Sequence, residues 1–222
     1  MRALVLADGD VPTRASLDAA WPGWSEGFEL VVAADGGARL ASGLGFTIDR
    51  WVGDGDSLGD AGIQSLRESG VRVDLAPDDK DESDTELAVR AALDAGATEI
   101  VVLGALGGPR FDHALANVAL LVLPALRGRA AMLLAPAARV RLLDGPVELD
   151  LSGRVGDLVS LLPFGGDVVG VETEGLRYPL RNEVLPAGPA RGLSNVRTAP
   201  HARVAIQDGR ILVVETPANL GA

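Results

Sequence analysis

The sequence contains no cysteine, which excludes disulfides, thiolate metal sites and a cysteine nucleophile. Histidine is nearly as scarce: only His113 and His201 occur, too few for a histidine-rich zinc site. A single lysine, Lys80, stands against nineteen arginines, and Tyr178 is the only tyrosine. The P-loop pattern Gly-x-x-x-x-Gly-Lys-Ser/Thr and the protein-kinase signatures are missing, which sets those enzyme classes aside. No apolar run is long enough to span a bilayer, because the longest, 115–126, is broken by Asn117 and Pro124. Positive charge is short too. A formal charge of −11 argues against nucleic-acid binding, since phosphate backbones need a basic face. The apolar start gives way to Asp8 after five residues, too soon for a signal-peptide core, so a cytoplasmic location is expected.

What is present is the composition of a folded protein, 47% hydrophobic and 23% charged over 222 residues, enough for one large domain or two modest ones. Its acid is unevenly spread. Between Asp49 and Glu86 twelve carboxylates face only Arg50, Arg67, Arg72 and Lys80. Such a run is ordinarily a solvated face. Lys80 inside it suggests a role for a compact ammonium rather than a planar fork.

The chain has two textures. Up to about residue 135, short β-branched runs (Ala3–Ala7, Leu30–Ala34, Arg50–Gly53, Val71–Leu75, Glu99–Leu103, Ala130–Leu134) alternate with helical patterns. The helices are expected over Thr13–Trp21, Gly37–Gly43, Asp60–Ser69, Asp84–Ala95 and Asp112–Leu123. Strand–helix alternation predicts a mostly parallel, Rossmann-like sheet with helices on both faces. After Pro136, Gly and Pro multiply and short strands follow closely: Val140–Leu143, Val147–Leu151, Leu158–Leu162, Val168–Thr173, Leu193–Val196, Arg203–Ile206 and Ile211–Val214. Asp208-Gly209 is a hairpin signal. The expected fold class is therefore α/β over residues 1–136, followed by a small β-sandwich over 137–222, with a linker near Ala135-Pro136-Ala137-Ala138.

In an open parallel sheet, ligands bind beyond the carboxyl ends of the strands. Four successive strands deliver carboxylates or glycines there. They are Asp35-Gly36-Gly37, then Gly53-Asp54-Gly55-Asp56-Ser57, then Asp78-Asp79-Lys80-Asp81-Glu82-Ser83-Asp84, and lastly the turn Gly104–Gly108 with Arg110, Asp112, His113 and Asn117 beyond it. Asp54 and Asp56, with a third oxygen ligand from Asp81, suit Mg²⁺, which keeps several waters and shares substrate phosphates. Without a cation these carboxylates would repel one another and any nucleotide triphosphate. The Gly-rich turn, including Gly107 and Gly108, offers backbone N–H groups to phosphate, and Arg110 is the natural anion partner. His113 opens a helix, where it either caps and packs or touches substrate. These residues point to a Mg²⁺-dependent enzyme that moves a phosphoryl or pyrophosphoryl group from ATP.

Taken in order, these motifs resemble those of the thiamine pyrophosphokinase family. Asp35-Gly36-Gly37 resembles its Asp-Gly-Gly turn, and Gly53–Ser57 its Gly-Asp-Phe-Asp-Ser motif. Asp79–Asp84 resembles Asp-Lys-Asp-x-Thr-Asp, and Gly107–His113 with Asn117 its Gly-Gly-Arg-x-Asp-His…Asn signature, here with one inserted residue. Leu193-Ser194-Asn195 resembles the thiamine-contacting Ser-Asn of its β domain. The resemblance implies thiamine diphosphate made from thiamine and ATP, with AMP released. It also implies an ATP- and Mg²⁺-binding catalytic domain, a thiamine-binding β domain, and a homodimer whose active site lies at the subunit interface. On it, Asp54, Asp56 and Asp81 carry Mg²⁺ and the phosphates, and Lys80 and Asp84 complete that shell. Asp35, Gly36, Ser57, Gly107, Gly108, Arg110, Asp112, His113 and Asn117 surround the nucleotide. Ser194 and Asn195 face the aminopyrimidine, and Tyr178 stacks on thiamine. Two departures stand out: Gly55 replaces a Phe, which should loosen its loop, and Asp8 replaces an Asn.

Three other functions share parts of this pattern. A pyrophosphokinase for another heterocyclic alcohol, such as a pterin, fits the first half equally well. A nucleotide-sugar glycosyltransferase would use Asp-x-Asp but leaves Asp-Lys-Asp unexplained. A non-catalytic thiamine or nucleotide sensor would bind without forming AMP.

Overall fold

The structure, a computed structural model, describes residues 1–77 and 79–218; Asp78 of the acidic motif therefore lies outside the described residues. Two compact units divide the chain, Met1–Pro136 and Ala137–Ala222.

In the first unit, strands β1 (Arg2–Leu6), β2 (Leu30–Ala34), β3 (Arg50–Gly53), β4 (Arg72–Leu75), β5 (Glu99–Leu103) and β6 (Ala130–Ala135) alternate with helices α1 (Arg14–Ala20), α2 (Ala38–Leu44), α3 (Gly59–Glu68), α4 (Asp84–Asp94) and α5 (Phe111–Ala119). The strands form a parallel sheet in the order β6-β5-β1-β2-β3-β4. Their central residues are buried on both faces, as parallel sheets require. One face carries Leu4, Leu6, Val31, Ala33 and Trp51 against Leu17 of α1, Leu40 and Leu44 of α2, and Ile63 of α3. Each fully buried side chain of this size contributes roughly 1.5–3 kcal/mol. On the other face Ile100 and Val102 meet Val89 of α4 and Leu121.

Ser83 caps α4 by accepting the Glu86 N–H at 3.1 Å, a contact worth about 1 kcal/mol. The helix expected to run to Leu123 stops at Ala119 and tightens into a 3-10 turn over Leu120–Val122. Pro124 is the cause, because the residue before a proline is pushed out of the helical region, and Leu123 sits at ψ 126°.

The second unit stacks two antiparallel sheets. One has the order β12-β9-β14-β7 and the other β11-β10-β13-β8. The strands are β7 (Ala138–Asp144), β8 (Val147–Ser152), β9 (Leu158–Pro163), β10 (Val168–Glu174), β11 (Glu183–Leu185), β12 (Asn195–Val196), β13 (His201–Ile206) and β14 (Arg210–Thr216). Leu151, Leu161, Val171, Val204 and Val213 fill the core between the sheets.

Three expectations change here. β11 has no alternating signal and is short. The strand expected over Leu193–Val196 shrinks to two residues, because Ser194 turns to φ +53°. Asp208-Gly209 does not close a hairpin. β13 pairs with β8 and β10, whereas β14 pairs with β7 and β9, so this turn carries the chain from one sheet to the other. Val169 claims the Asp208 backbone in an isolated bridge, and that contact draws the turn away from hairpin pairing.

Candidate active site

The carboxyl ends of β1, β2, β3 and β5 and the N-terminus of α4 surround a cavity of about 580 Å³. β2 ends in Asp35, which enters a 3-10 turn at φ +40°, a conformation costing a non-glycine residue about 1 kcal/mol. Its carbonyl is held by the buried Trp51 Nε1–H at 2.9 Å, so β3 fixes the turn. The next two residues must be glycine. A Cβ on Gly36 would lie 2.2 Å from the Asp8 carboxylate, and one on Gly37 would lie 2.1 Å from the Leu6 carbonyl.

Three carboxylates meet at this edge: one oxygen each from Asp35, Asp54 and Asp84 lies within 4.8 Å of the others. Lys80 Nζ donates to Asp54 Oδ2 at 2.7 Å and pairs with Asp84 Oδ1 at 3.2 Å. The Lys80 bond is the main cause that holds the Asp54 carboxyl below its ordinary pKa. Burial works against the Lys80 ammonium, but the bonds to Asp54 and Asp84 outweigh it and leave the lysine pKa raised. Asp35 is the exception. Burial dominates there and pushes its carboxyl up, against the nearby Ser57 hydroxyl and the Gly36 N–H. Among the described residues Asp35 Oδ1 is buried and makes no hydrogen bond, and buried Asp84 Oδ1 has only the Lys80 ammonium, at 3.2 Å. A buried carboxylate oxygen without a donor is costly, and a cation would relieve it.

Asp56 and Ser57 also line the cavity, with the Ser57 hydroxyl donating to Asp56 Oδ1 at 3.2 Å. The Asp56 N–H returns to Asp54 Oδ1 at 3.2 Å and closes the loop on itself. Gly55, at φ +91°, is buried and would place a Cβ 2.4 Å from Ile63 Cδ1. The glycine therefore does not loosen the loop; it lets the loop pack on α3. On the opposite wall lie Gly107, Gly108, Arg110, His113 and Asn117, whose amide donates to the Ala105 carbonyl at 3.0 Å. Arg110 and Asp112 are exposed and pair with each other at 2.9 and 2.6 Å, which lowers the Asp112 pKa and raises that of the guanidinium.

The structure thus gathers most of the nucleotide-side residues named from sequence, but not all of them. Asp81 is exposed and stands outside the carboxylate trio; Asp35 and Asp84 accompany Asp54 instead. Asp54, Asp112 and Gly36 do not line the cavity: Asp54 is bonded to Lys80 behind its wall, Arg110 holds Asp112 outside, and Gly36 is buried in the turn. Two residues contribute without having been singled out. Asp10 accepts the Gly108 N–H at 2.8 Å, and Arg39 on α2 donates to the Ser57 carbonyl while facing Asp8 at 3.7 Å. The sequence did hold a sign of Asp10, since Asp8-Gly9-Asp10 repeats the pattern of Asp54-Gly55-Asp56 at another strand end.

The second unit has its own cavity, of about 200 Å³, beside Tyr178, Leu180, Arg191, Leu193 and Asn195. Tyr178 is largely exposed, with the Arg177 guanidinium 5.8 Å from its ring centroid. Asn195 is buried, and its side chain brackets the Tyr178 backbone, with Oδ1 accepting the N–H at 2.9 Å and Nδ2 donating to the carbonyl at 2.7 Å. Ser194 does not line this cavity; its N–H donates to Ser160 Oγ at 3.0 Å.

Fold and site together define an α/β protein with a carboxylate cleft at its strand ends, followed by a β-sandwich bearing a smaller aromatic-edged cavity. Residues 24–133 match the family described as thiamin pyrophosphokinase, catalytic domain, and residues 147–211 match its vitamin B1 binding domain. The chain belongs to the thiamin pyrophosphokinase family, and so to the transferases of the kinase class in thiamine metabolism. It is 25% identical over 174 residues to the thiamine pyrophosphokinase of Bacillus subtilis, covering 78% of this chain and 80% of that protein. The crystal structure of a Bacillus subtilis thiamine pyrophosphokinase superposes with a TM-score of 0.84 at 22% identity, covering 98% of this chain and 99% of the other. A thiamin pyrophosphokinase family protein from Enterococcus faecalis gives 0.81 at 24% identity, covering 97% and 99%. Among the described residues no helix is long and apolar enough to cross a membrane.

Proposed function

We propose that the protein transfers the pyrophosphoryl group of ATP to the hydroxyl of thiamine, yielding thiamine diphosphate and AMP. The observation that carries this reading is the trio Asp35, Asp54 and Asp84, the last two paired with Lys80, at a cavity that Asp35, Lys80 and Asp84 line and that has a Gly-rich helix entrance on its far wall. In this proposal the first unit binds ATP and the second binds thiamine. The working form is a cytoplasmic homodimer with the site at the subunit interface, as family resemblance implies.

The carboxylates fit Mg²⁺: they are hard oxygen donors, and the buried Asp35 Oδ1 lacks a hydrogen bond among the described residues. Asp35, Asp54 and Asp84 would hold the ion, where the sequence pointed to Asp54, Asp56 and Asp81; Asp56 stands at the rim of the cavity. Bound there, Mg²⁺ supplies charge neutralisation for the phosphates. The protein's own groups do the rest. Lys80 keeps Asp54 ionised and oriented. The backbone N–H groups opening α5 carry no side-chain cap and offer themselves to phosphate oxygens. Asp56, exposed at the cavity, takes the hydroxyl proton as the thiamine oxygen bonds to the β-phosphorus. The bond from that phosphorus to the oxygen bridging to the α-phosphorus breaks in line, and AMP leaves with the electron pair.

Incubation with ATP, Mg²⁺ and thiamine should yield AMP and thiamine diphosphate in equal amounts. ADP in place of AMP would make the protein a simple kinase, and saturable thiamine binding with no AMP would make it a sensor. Asp56→Asn should lower kcat by about 100-fold or more while thiamine affinity stays near wild type. A variant that keeps most of its turnover removes Asp56 from the chemistry.

A further inference from the structure

We propose that Arg197, fully buried and remote from any ligand surface, is the positioning residue that sets Tyr178 in the substrate cavity of the second unit. This rests on the assignment of that cavity to thiamine. Arg197 is 1% exposed. Its guanidinium donates to the Leu151 carbonyl on β8 at 2.6 Å and to Glu215 Oε1 on β14 at 2.8 Å, and so ties together one strand from each sheet. A Cβ on Gly153 would lie 3.0–3.2 Å from the guanidinium, so the plane is also closed from above. The backbone is fixed as firmly, since its N–H donates to the Asp157 carbonyl and its carbonyl accepts from the Gly156 N–H, both at 2.9 Å.

From this anchor a short ladder runs to the cavity. Arg197 bridges Leu176, the Arg177 N–H donates to the Val196 carbonyl at 2.9 Å, and the Thr198 N–H donates to the Gly175 carbonyl at 2.9 Å. The ladder ends on Asn195, whose amide grips both the N–H and the carbonyl of Tyr178. Asn195 Oδ1 also accepts the Val196 N–H at 3.0 Å, so three of the four hydrogen-bonding positions of its amide serve the protein itself. Asn195 acts through Tyr178, and Arg197 acts through Asn195. The fork geometry is required, because a lysine cannot reach the Leu151 carbonyl and the Glu215 carboxylate as one planar pair of donors.

Tyr178 is the only tyrosine, so 3-fluorotyrosine labelling of the full chain gives a single ¹⁹F resonance that reports this position. Thiamine should move that resonance in the wild type. Arg197→Met should shift it before thiamine is added and raise KM for thiamine by about tenfold or more, with kcat and KM for ATP nearly unchanged. Arg197→Lys should behave likewise, and it carries the test if Arg197→Met does not fold. A wild-type resonance that moves, with variants that keep the wild-type KM for thiamine, would overturn the positioning role alone. Restoration of that KM by the lysine variant would overturn it as well. A wild-type resonance indifferent to thiamine would overturn the cavity assignment and the inference together.

Discussion

At the strand ends of the first unit, Asp35 keeps a buried oxygen that makes no hydrogen bond among the described residues, and the buried oxygen of Asp84 has only Lys80. In the second unit the equally buried Glu215 holds three guanidiniums: Arg139 twice at 2.8 Å, Arg197 at 2.8 Å, and Arg141. Burial raises the pKa of both Asp35 and Glu215, yet only Glu215 has arginines that outweigh it, and its carboxyl ends below the ordinary range. Burial also lowers the Arg141 pKa, so this cluster too stores desolvation cost. The contrast separates two uses of a buried acid. One with its partners supplied by the fold holds strands together, and one left short of partners is open to a ligand.

The largest expected effect on stability tests the satisfied side. Glu215→Gln leaves three guanidiniums without their carboxylate and should cost about 3–5 kcal/mol, read by urea unfolding followed by far-UV circular dichroism. All three tryptophans, Trp21, Trp24 and Trp51, lie in the first unit, so their fluorescence reports that unit separately. The same residue sets an acid limb. Because the folded Glu215 pKa is depressed, its contribution is complete above the unfolded value of about 4.3 and fades as pH falls through the folded one. The Gln variant should lose that limb; an unchanged limb would assign it to other carboxylates.

Asp35 should answer with the opposite sign. Asp35→Asn removes a buried charge whose hydrogen bonds do not offset its burial, so the metal-free protein should gain about 1 kcal/mol in the same unfolding assay. Turnover should fall at the same time by about 100-fold or more. A loss of stability would show that the fold, not a ligand, completes Asp35. The smallest effect on turnover is expected at Gly55. Gly55→Ala forces a side chain into φ +91° against Ile63 and should cost about 1–2 kcal/mol, with kcat reduced in step as Asp54 and Asp56 shift. Wild-type stability would mean that α3 yields more easily than its packing indicates.

Much of this was legible in the chain because it was local. The six parallel strands showed as short β-branched runs, and Ser83-Asp84-Thr85-Glu86 announced the start of α4 through its cap. The second unit was less transparent. Asp208-Gly209 carries a hairpin signal, but which strand pairs with which depends on contacts tens of residues apart. The site divided in the same way. Asp54, Asp56 and Lys80 stood out in one acidic run, whereas the preference for Asp35 over Asp81 came from the approach of β2 to α4.

By itself, then, the sequence determined the fold class, the strand-end placement of the acids and the family motifs, because hydrophobic period, helix caps and motif order are properties of neighbouring residues. Only the tertiary structure decided which carboxylates meet, that Asn195 grips Tyr178 rather than standing free, and that Glu215 is satisfied while Asp35 is not. Those outcomes depend on burial and on partners far apart in the chain, and a carboxylate's state is set by what surrounds it in space.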